Sequence, residues 1–346
     1  MKFHLIGNPP SCGSTLLGEL LDSTGISVCG PELEFFCNQR IYDFKEFKNS
    51  KNAQSKFFSF QSTGMYFQSE KLQHYGLNKN EFNKILNDSN SINEFVDKLK
   101  DKYCQYRGVS GNSFLWFEKT PQNVNAISQF LNAFQDSYFI SIIRNPIYVH
   151  SSLINRGKGA MSSCVTWMLY LANIIDHIDH PRLIVLKYED LVKSPYEVVS
   201  KLMNRIAPTT LIDPSIIEEN YASNEYIRQF NYRPNGWSVQ KDASVKNANE
   251  REIPKKILKQ QKRLLSSSIS EDYANLYGFS SRSYKELLQL SGYFDTVTTQ
   301  LSSLPEERVK IDIKEFKKVF TKSVKGVIRG TYALRDIPAL FRPLQF

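Results

Sequence analysis

The chain is poor in the features that would place it outside the ordinary globular proteins. No run of eighteen apolar residues interrupts its 346 positions, so nothing reads as a membrane-spanning helix. No apolar leader precedes the first short strand, KFHLIG, which leads us to expect a soluble, unprocessed, cytoplasmic protein. Cysteine is scarce and odd in number: Cys12, Cys29, Cys37, Cys104 and Cys164 form no C-x-x-C pair, so neither a zinc site nor a disulfide framework is indicated. The five histidines make no metal or triad pattern, and no internal repeat is visible. Most telling, the first loop, GNPPSCGST (Gly7 to Thr15), has the form of a phosphate loop but no lysine. A Walker A loop needs Gly-Lys-Ser/Thr, and Ser14 stands where that lysine belongs.

What is present is ordinary globular material: 41% apolar and 13% aromatic residues are enough for one large core or two modest ones. The net charge of +9 favours anionic partners. The excess is uneven, because residues 305 to 346 carry ten Lys or Arg against five Asp or Glu. Within that tail Ile313, Phe316, Phe320, Val324 and Val327 recur at helical spacing. Lys314, Lys317, Lys318, Lys322, Lys325 and Arg329 lie between them, a basic amphipathic helix. Docking on its own domain, or on a second copy through the C-terminal helices, is the expected use, and membrane contact is not.

Four strand–loop–helix units can be read. KFHLI precedes the glycine loop and the helix STLLGELLDSTG. FLWFEK (114 to 119) leads through TPQN into NVNAISQFLNAF. SYFISIIR (137 to 144) leads into a helix near Tyr148 to Ile154, and RLIVLKY (182 to 188) runs through EDLVKSP into YEVVSKLMNRI. Alternation of this kind predicts an α/β fold, a three-layer domain around a mostly parallel sheet that binds its ligand at the strands' carboxyl ends. We expect a main domain over 1–280, with a mainly helical insertion at 41–112 that could cover the site. A long site-covering loop is expected over 224–250, and a helical basic extension over 281–346.

A glycine turn opening a helix binds anions through backbone amides and the helix N-terminus, with Ser14 and Thr15 hydroxyls as further donors. The alternative is a turn that merely starts a helix. Four segments in order, PPSCGSTLL, EKTPQN, IIRNPIYVHSSL and LKYEDLVKSP, together with CGPELEFF, resemble the sulfotransferases that use 3′-phosphoadenosine 5′-phosphosulfate (PAPS). Together they span Ile6 to Pro195, more than half the chain. The Cys29-Gly30-x-Glu32 segment is most similar to the branch of tyrosylprotein and bacterial small-molecule sulfotransferases.

The resemblance implies a P-loop-like fold and a 5′-phosphosulfate cradle at Ser11, Cys12, Gly13, Ser14 and Thr15. It implies a 3′-phosphate site at Arg144 and Ser152, and Tyr188 near the adenine. Arg144 as a guanidinium fork and Ser152 from the following helix suit a phosphate dianion. Ser11 departs from the family, which has Arg or Lys there. Lys119, at the end of its strand, is the expected replacement cation, and Lys241 and Lys246 are candidate closures over the nucleotide.

The resemblance also implies a glutamate base. Glu32 is favoured over Glu34, which falls on the same side of an extended segment, while Pro121 stands where the cytosolic branch has a histidine. A solvated acidic turn is the bland alternative. His150 and Trp167 read as packing residues. The expected reaction moves a sulfuryl group from PAPS to a hydroxyl or nitrogen of a small molecule, leaving 3′,5′-ADP and needing no metal. A secondary metabolite is the expected acceptor, with a guanidinium alkaloid toxin as one candidate. A degenerate P-loop kinase and a non-catalytic nucleotide or nucleic-acid module are the rivals. No magnesium-binding aspartate ends SYFISIIR, and no nucleic-acid motif is present.

Overall fold

The structure is a computed structural model that describes residues 3–49, 72–109, 114–223, 245, 247, 249, 253–302, 304 and 344–345. Its centre is a five-stranded parallel sheet in the order β2-β3-β1-β4-β5. The strands are β1 (Phe3–Ile6), β2 (Ser27–Cys29), β3 (Leu115–Lys119), β4 (Phe139–Ile143) and β5 (Leu183–Lys187). β1, β3 and β4 are buried along their whole length, which is why they read as continuous apolar runs rather than alternating ones. The fold is the α/β, P-loop-like class expected from the sequence.

From β1 the chain moves toward one sheet edge through the helix Ser14–Asp22 to β2, and from β4 toward the other edge to β5. Right-handed crossovers in opposite directions place their helices on opposite faces. The helices Pro195–Ile206 and Pro214–Ser223 accordingly pack with Ser14–Asp22. On the other side Lys255–Leu264 and Tyr284–Ser291 pack on Ala160–Asp176. The direction reverses at β1, so the crevice opens above the carboxyl end of β1, where an open α/β sheet holds its ligand.

Three local features differ from the sequence reading. β2 was not anticipated, since three residues are too few for a pattern; it exists because it pairs with β3 over Ser27 to Cys29. Residues Pro121–Ala126 form a 3-10 turn before the helix Ile127–Ala133. The Asn123 amide there donates to the Ile6 carbonyl and the Glu118 carboxylate, so its side chain competes with regular helix. The stretch read as a connector after β5 is a short helix, Tyr188–Lys193.

The described part of the insertion includes the helices Lys79–Asn87 and Ile92–Tyr106. Each starts at a side-chain cap, Asn78 in a capping box and Ser91 on the Glu94 amide. Phe82 and Phe95 pack on Phe35, edge-on and tilted, with centroids 5.5 and 5.1 Å away. Behind the same segment Tyr75 donates to the Pro31 carbonyl at 2.5 Å and Tyr103 to the Cys29 carbonyl at 3.1 Å. The insertion thus braces the turn that carries Glu32. Most of the 224–250 loop, including Lys241 and Lys246, lies outside the described residues, as does the tail from 305 to 343.

Candidate active site

Strand register decides which side chains meet. Ile6 is level with Lys119 on one side and Ile140 on the other. Lys119 therefore ends its strand beside the first residues of the glycine loop. β4 runs on past that level, so Arg144 stands four residues, about 13 Å of strand, beyond it and overhangs the loop. Cys29 is level with Phe117, and the turn after β2 brings Glu32 to the same edge.

The loop is built for close approach. A Cβ on Gly7 would stand 2.6 Å from the Phe139 ring and 2.8 Å from the Val124 amide nitrogen. Gly13 has φ 97°, and a Cβ there would stand 2.5 Å from the Tyr188 ring. Ser11 is also left-handed, at φ 71°. Strain of this kind in a non-glycine residue costs about 1–3 kcal/mol and clusters at ligand sites. A loop that turns through left-handed residues into a helix N-terminus presents successive amides toward one concavity, which suits an anion. Ser14 opens the helix and Thr15 follows it, half-buried. Cys12 turns its thiol into the core with no exposed surface, and burial raises its pKa, so its contribution to the concavity is its backbone.

Three cations converge here, two from strand ends and one from the end of a helix. Arg144 is buried, donates from Nη1 to the Ser11 carbonyl at 2.9 Å, and lies 4.2 Å over the Tyr188 ring. Tyr188 is thereby packed between Gly13 and Arg144. The buried Trp167 indole donates to the Arg144 carbonyl at 3.2 Å, fixing the strand end from below. Arg156, the C-cap of the helix Pro146–Asn155, donates to the Ser11 hydroxyl. Tyr148, Ser152 and Arg156 are spaced four apart and share one helix face. Arg144 lies 5.9 Å over Tyr148, so half-buried Ser152 sits on the stripe between the two guanidiniums.

The third cation, Lys119, donates from Nζ to Glu32 Oε1 at 3.1 Å, with side-chain exposures of 7% and 14%. Burial lowers the pKa of Arg156 while Glu32 acts in the opposite direction, so Glu32 lies within electrostatic reach of both cations. Glu34 differs in kind: it is 2% exposed, at φ 57°.

Sequence reasoning missed the group that holds this turn. Glu118, fully buried in β3, accepts from the Leu33 amide at 2.8 Å, the Thr120 hydroxyl at 2.6 Å and the Asn123 amide at 2.7 Å. Thr120 Oγ1 in turn accepts from the Glu34 amide at 3.0 Å. All three contacts donate to the carboxylate, which favours its ionised form, although burial is the larger effect and raises its pKa. Arg156 was missed as well. Its sequence signal was its spacing, four residues past Ser152 on a helix. His150 is buried with its Nδ1 3.3 Å from the Cys164 thiol, a packing position. No cluster of metal-ligating residues occurs among the described residues, nor is any described helix long and apolar enough to cross a membrane.

The model of the Sulfotransferase family matches residues 5–207, from the second half of β1 through β5, and includes every cation just described. Among solved structures, the sulfotransferase domain from the Synechococcus PCC 7002 olefin synthase is 17% identical at a TM-score of 0.47, covering 73% of this chain and 88% of that one. The sulfotransferase domain from the curacin biosynthetic pathway is 17% identical at 0.44, covering 88% and 98%. A sulfotransferase from Alicyclobacillus acidocaldarius is 12% identical at 0.36, covering 89% and 96%. No curated protein matches the chain. With the family model spanning more than half of its residues, and the loop, strand ends and basic groups lying inside the matched segment, the chain belongs to the sulfotransferase family.

Proposed function

We propose that the protein moves a sulfuryl group from PAPS to a hydroxyl or nitrogen of a small-molecule acceptor, with Glu32 as the base. The observation that carries this reading is the convergence of Arg144, Arg156 and Lys119 on one left-handed loop, with the Glu32 carboxylate paired to Lys119 beside them. That donor set fits a nucleotide with two anionic ends. Loop amides, Ser14 and Thr15 suit the 5′ end, and Arg144 with Ser152 the 3′-phosphate. When bound, PAPS supplies the activated sulfuryl group and leaves as 3′,5′-ADP.

Lys119 and Arg156 together replace the cation that Ser11 lacks. Both stand next to the loop in a partly water-excluded site, where fixed charge stabilises a developing anion most. Glu32 pairs with Lys119 and lies within electrostatic reach of Arg156. With those cations engaged by an anionic donor, the Glu32 carboxylate would be available to accept the acceptor proton. Glu34, buried and in a left-handed conformation, is better suited to shaping the turn. A guanidinium acceptor would have to displace Lys119 from Glu32, so a neutral hydroxyl acceptor, such as that of a secondary metabolite, fits more simply.

The test is turnover of PAPS with a panel of hydroxyl and amine acceptors, read by the mass shift of the product. Glu32→Gln should lower kcat by about 10²–10⁴-fold, the usual worth of a positioned base, while 3′,5′-ADP affinity stays within about threefold. Near-normal turnover in the variant would remove Glu32 from the chemistry.

A further inference from the structure

The family match ends at residue 207, yet the chain beyond it returns to the nucleotide site. The helix Tyr284–Ser291 stops at Gly292, left-handed at φ 73°, and the Tyr293 amide donates to the Leu288 carbonyl at 2.8 Å to close the cap. The cap presses on the end of β5. A Cβ on Gly292 would stand 2.9 Å from the Lys187 ammonium, which itself lies 5.3 Å over the Tyr293 ring. Tyr293 is thereby held with its hydroxyl 2.6 Å from Glu189 Oε2, to which it donates. Glu189 Oε1 accepts from the Asn145 amide at 3.2 Å and from Asn249 Nδ2 at 3.0 Å. Asn249 Oδ1 accepts from Arg144 Nε at 2.9 Å.

The polarity of this chain admits one reading. Arginine has only donors and an ionised carboxylate only acceptors, so the Asn249 amide is oriented by its two neighbours. Burial and the Glu189 charge push the Tyr293 phenol pKa upward, so it stays a donor. Arg144, with Nη1 on the Ser11 carbonyl and its plane over Tyr188, is fixed at a third point by Asn249.

We propose that Tyr293, Glu189 and Asn249 are positioning residues that set the Arg144 guanidinium, so that the C-terminal helices complete the nucleotide site and underlie its preference for a 3′-phosphate. The proposal rests on the reading of Arg144 as the 3′-phosphate ligand. It predicts a specific loss: a guanidinium freed at one point still carries its charge, but a bidentate grip depends on its plane.

Calorimetric titration with 3′,5′-ADP and 5′-ADP, without magnesium, separates the 3′-phosphate contribution from the rest of the nucleotide. Tyr293→Phe should cut the ratio of the two affinities about tenfold, the scale of one buried hydrogen bond to a charged group, with 5′-ADP affinity within about twofold. Asn249→Ala, at a partly exposed position, should do the same if Tyr293→Phe does not fold. Ser200→Ala removes a buried hydroxyl that donates to the Ile212 carbonyl from the helix Pro195–Ile206 and should leave the ratio unchanged. A ratio untouched in both relay variants, or a parallel loss of both nucleotides, would overturn the relay alone. A wild-type protein indifferent to the 3′-phosphate would overturn the PAPS reading and the relay with it.

Discussion

At position 118 a carboxylate with no exposed surface holds the turn that carries Glu32 from inside the sheet. Leu33, whose amide it takes, stands between Glu32 and Glu34, and Thr120 passes the same grip on to the Glu34 amide. Substituting glutamine keeps the volume and two acceptor positions, but it turns an amide toward Asn123 Nδ2, a donor already committed to the Ile6 carbonyl. The conflict falls on the turn, and displacements of about 1 Å at a reacting group cost about 10²-fold in rate. Glu118→Gln should therefore lower kcat about 10–100-fold with 3′,5′-ADP affinity unchanged, measured by steady-state turnover beside titration. Equal losses in both would move Glu118 from the base to the phosphate loop. Nothing in FLWFEK marks this role, because each partner is fixed by the fold. Leu33 and Glu118 are 85 residues apart, and Arg156 and Ser11 are 145 apart.

The glycine loop shows how one element can be legible in outline and hidden in detail. Its glycines and hydroxyls announce an anion concavity. Sequence also placed Lys119 and Arg144 at strand ends, because apolar runs ending in a cation mark where a parallel sheet meets its ligand. Of the cations beside the loop, Lys119 was readable at a strand end, whereas Arg156 arrives through a helix whose face becomes meaningful once Tyr148 is seen under Arg144. β2, Asn249 and Tyr293 were illegible for the same reason, since each is defined by a long-range partner. The loop's tightest point is Gly13. Alanine there incurs the left-handed penalty of about 1–2 kcal/mol and places a methyl 2.5 Å from the Tyr188 ring, on which Arg144 rests. Gly13→Ala should lower the melting temperature by several degrees and weaken 3′,5′-ADP at least tenfold, because shifting Tyr188 shifts Arg144. A variant with full nucleotide affinity would show that the loop does not need this contact.

Across the whole molecule, acid stability follows from two buried imidazoles. His4, in β1, accepts from the Tyr138 amide at 3.0 Å, and His150 lies against Cys164. Burial lowers both from the usual 6.5 to about 3, with the N-terminal charge adding to the effect at His4. The sign follows from proton counting. Below pH 6.5 the unfolded chain takes up a proton at each site that the folded chain refuses until about pH 3, so stability falls as pH falls through that window. Burial also raises the Glu118 and Asp22 carboxyls, and their slope runs the other way. The wild-type curve alone therefore mixes the two. Comparison with His150→Gln isolates one imidazole. Between pH 7.5 and pH 5 the wild type should lose about 2 kcal/mol more than the variant, from 1.36 kcal/mol per proton per pH unit. Urea unfolding at the two pH values measures this difference directly. Parallel losses in both proteins would mean that His150 is protonated in the native state, at odds with its burial beside Cys164.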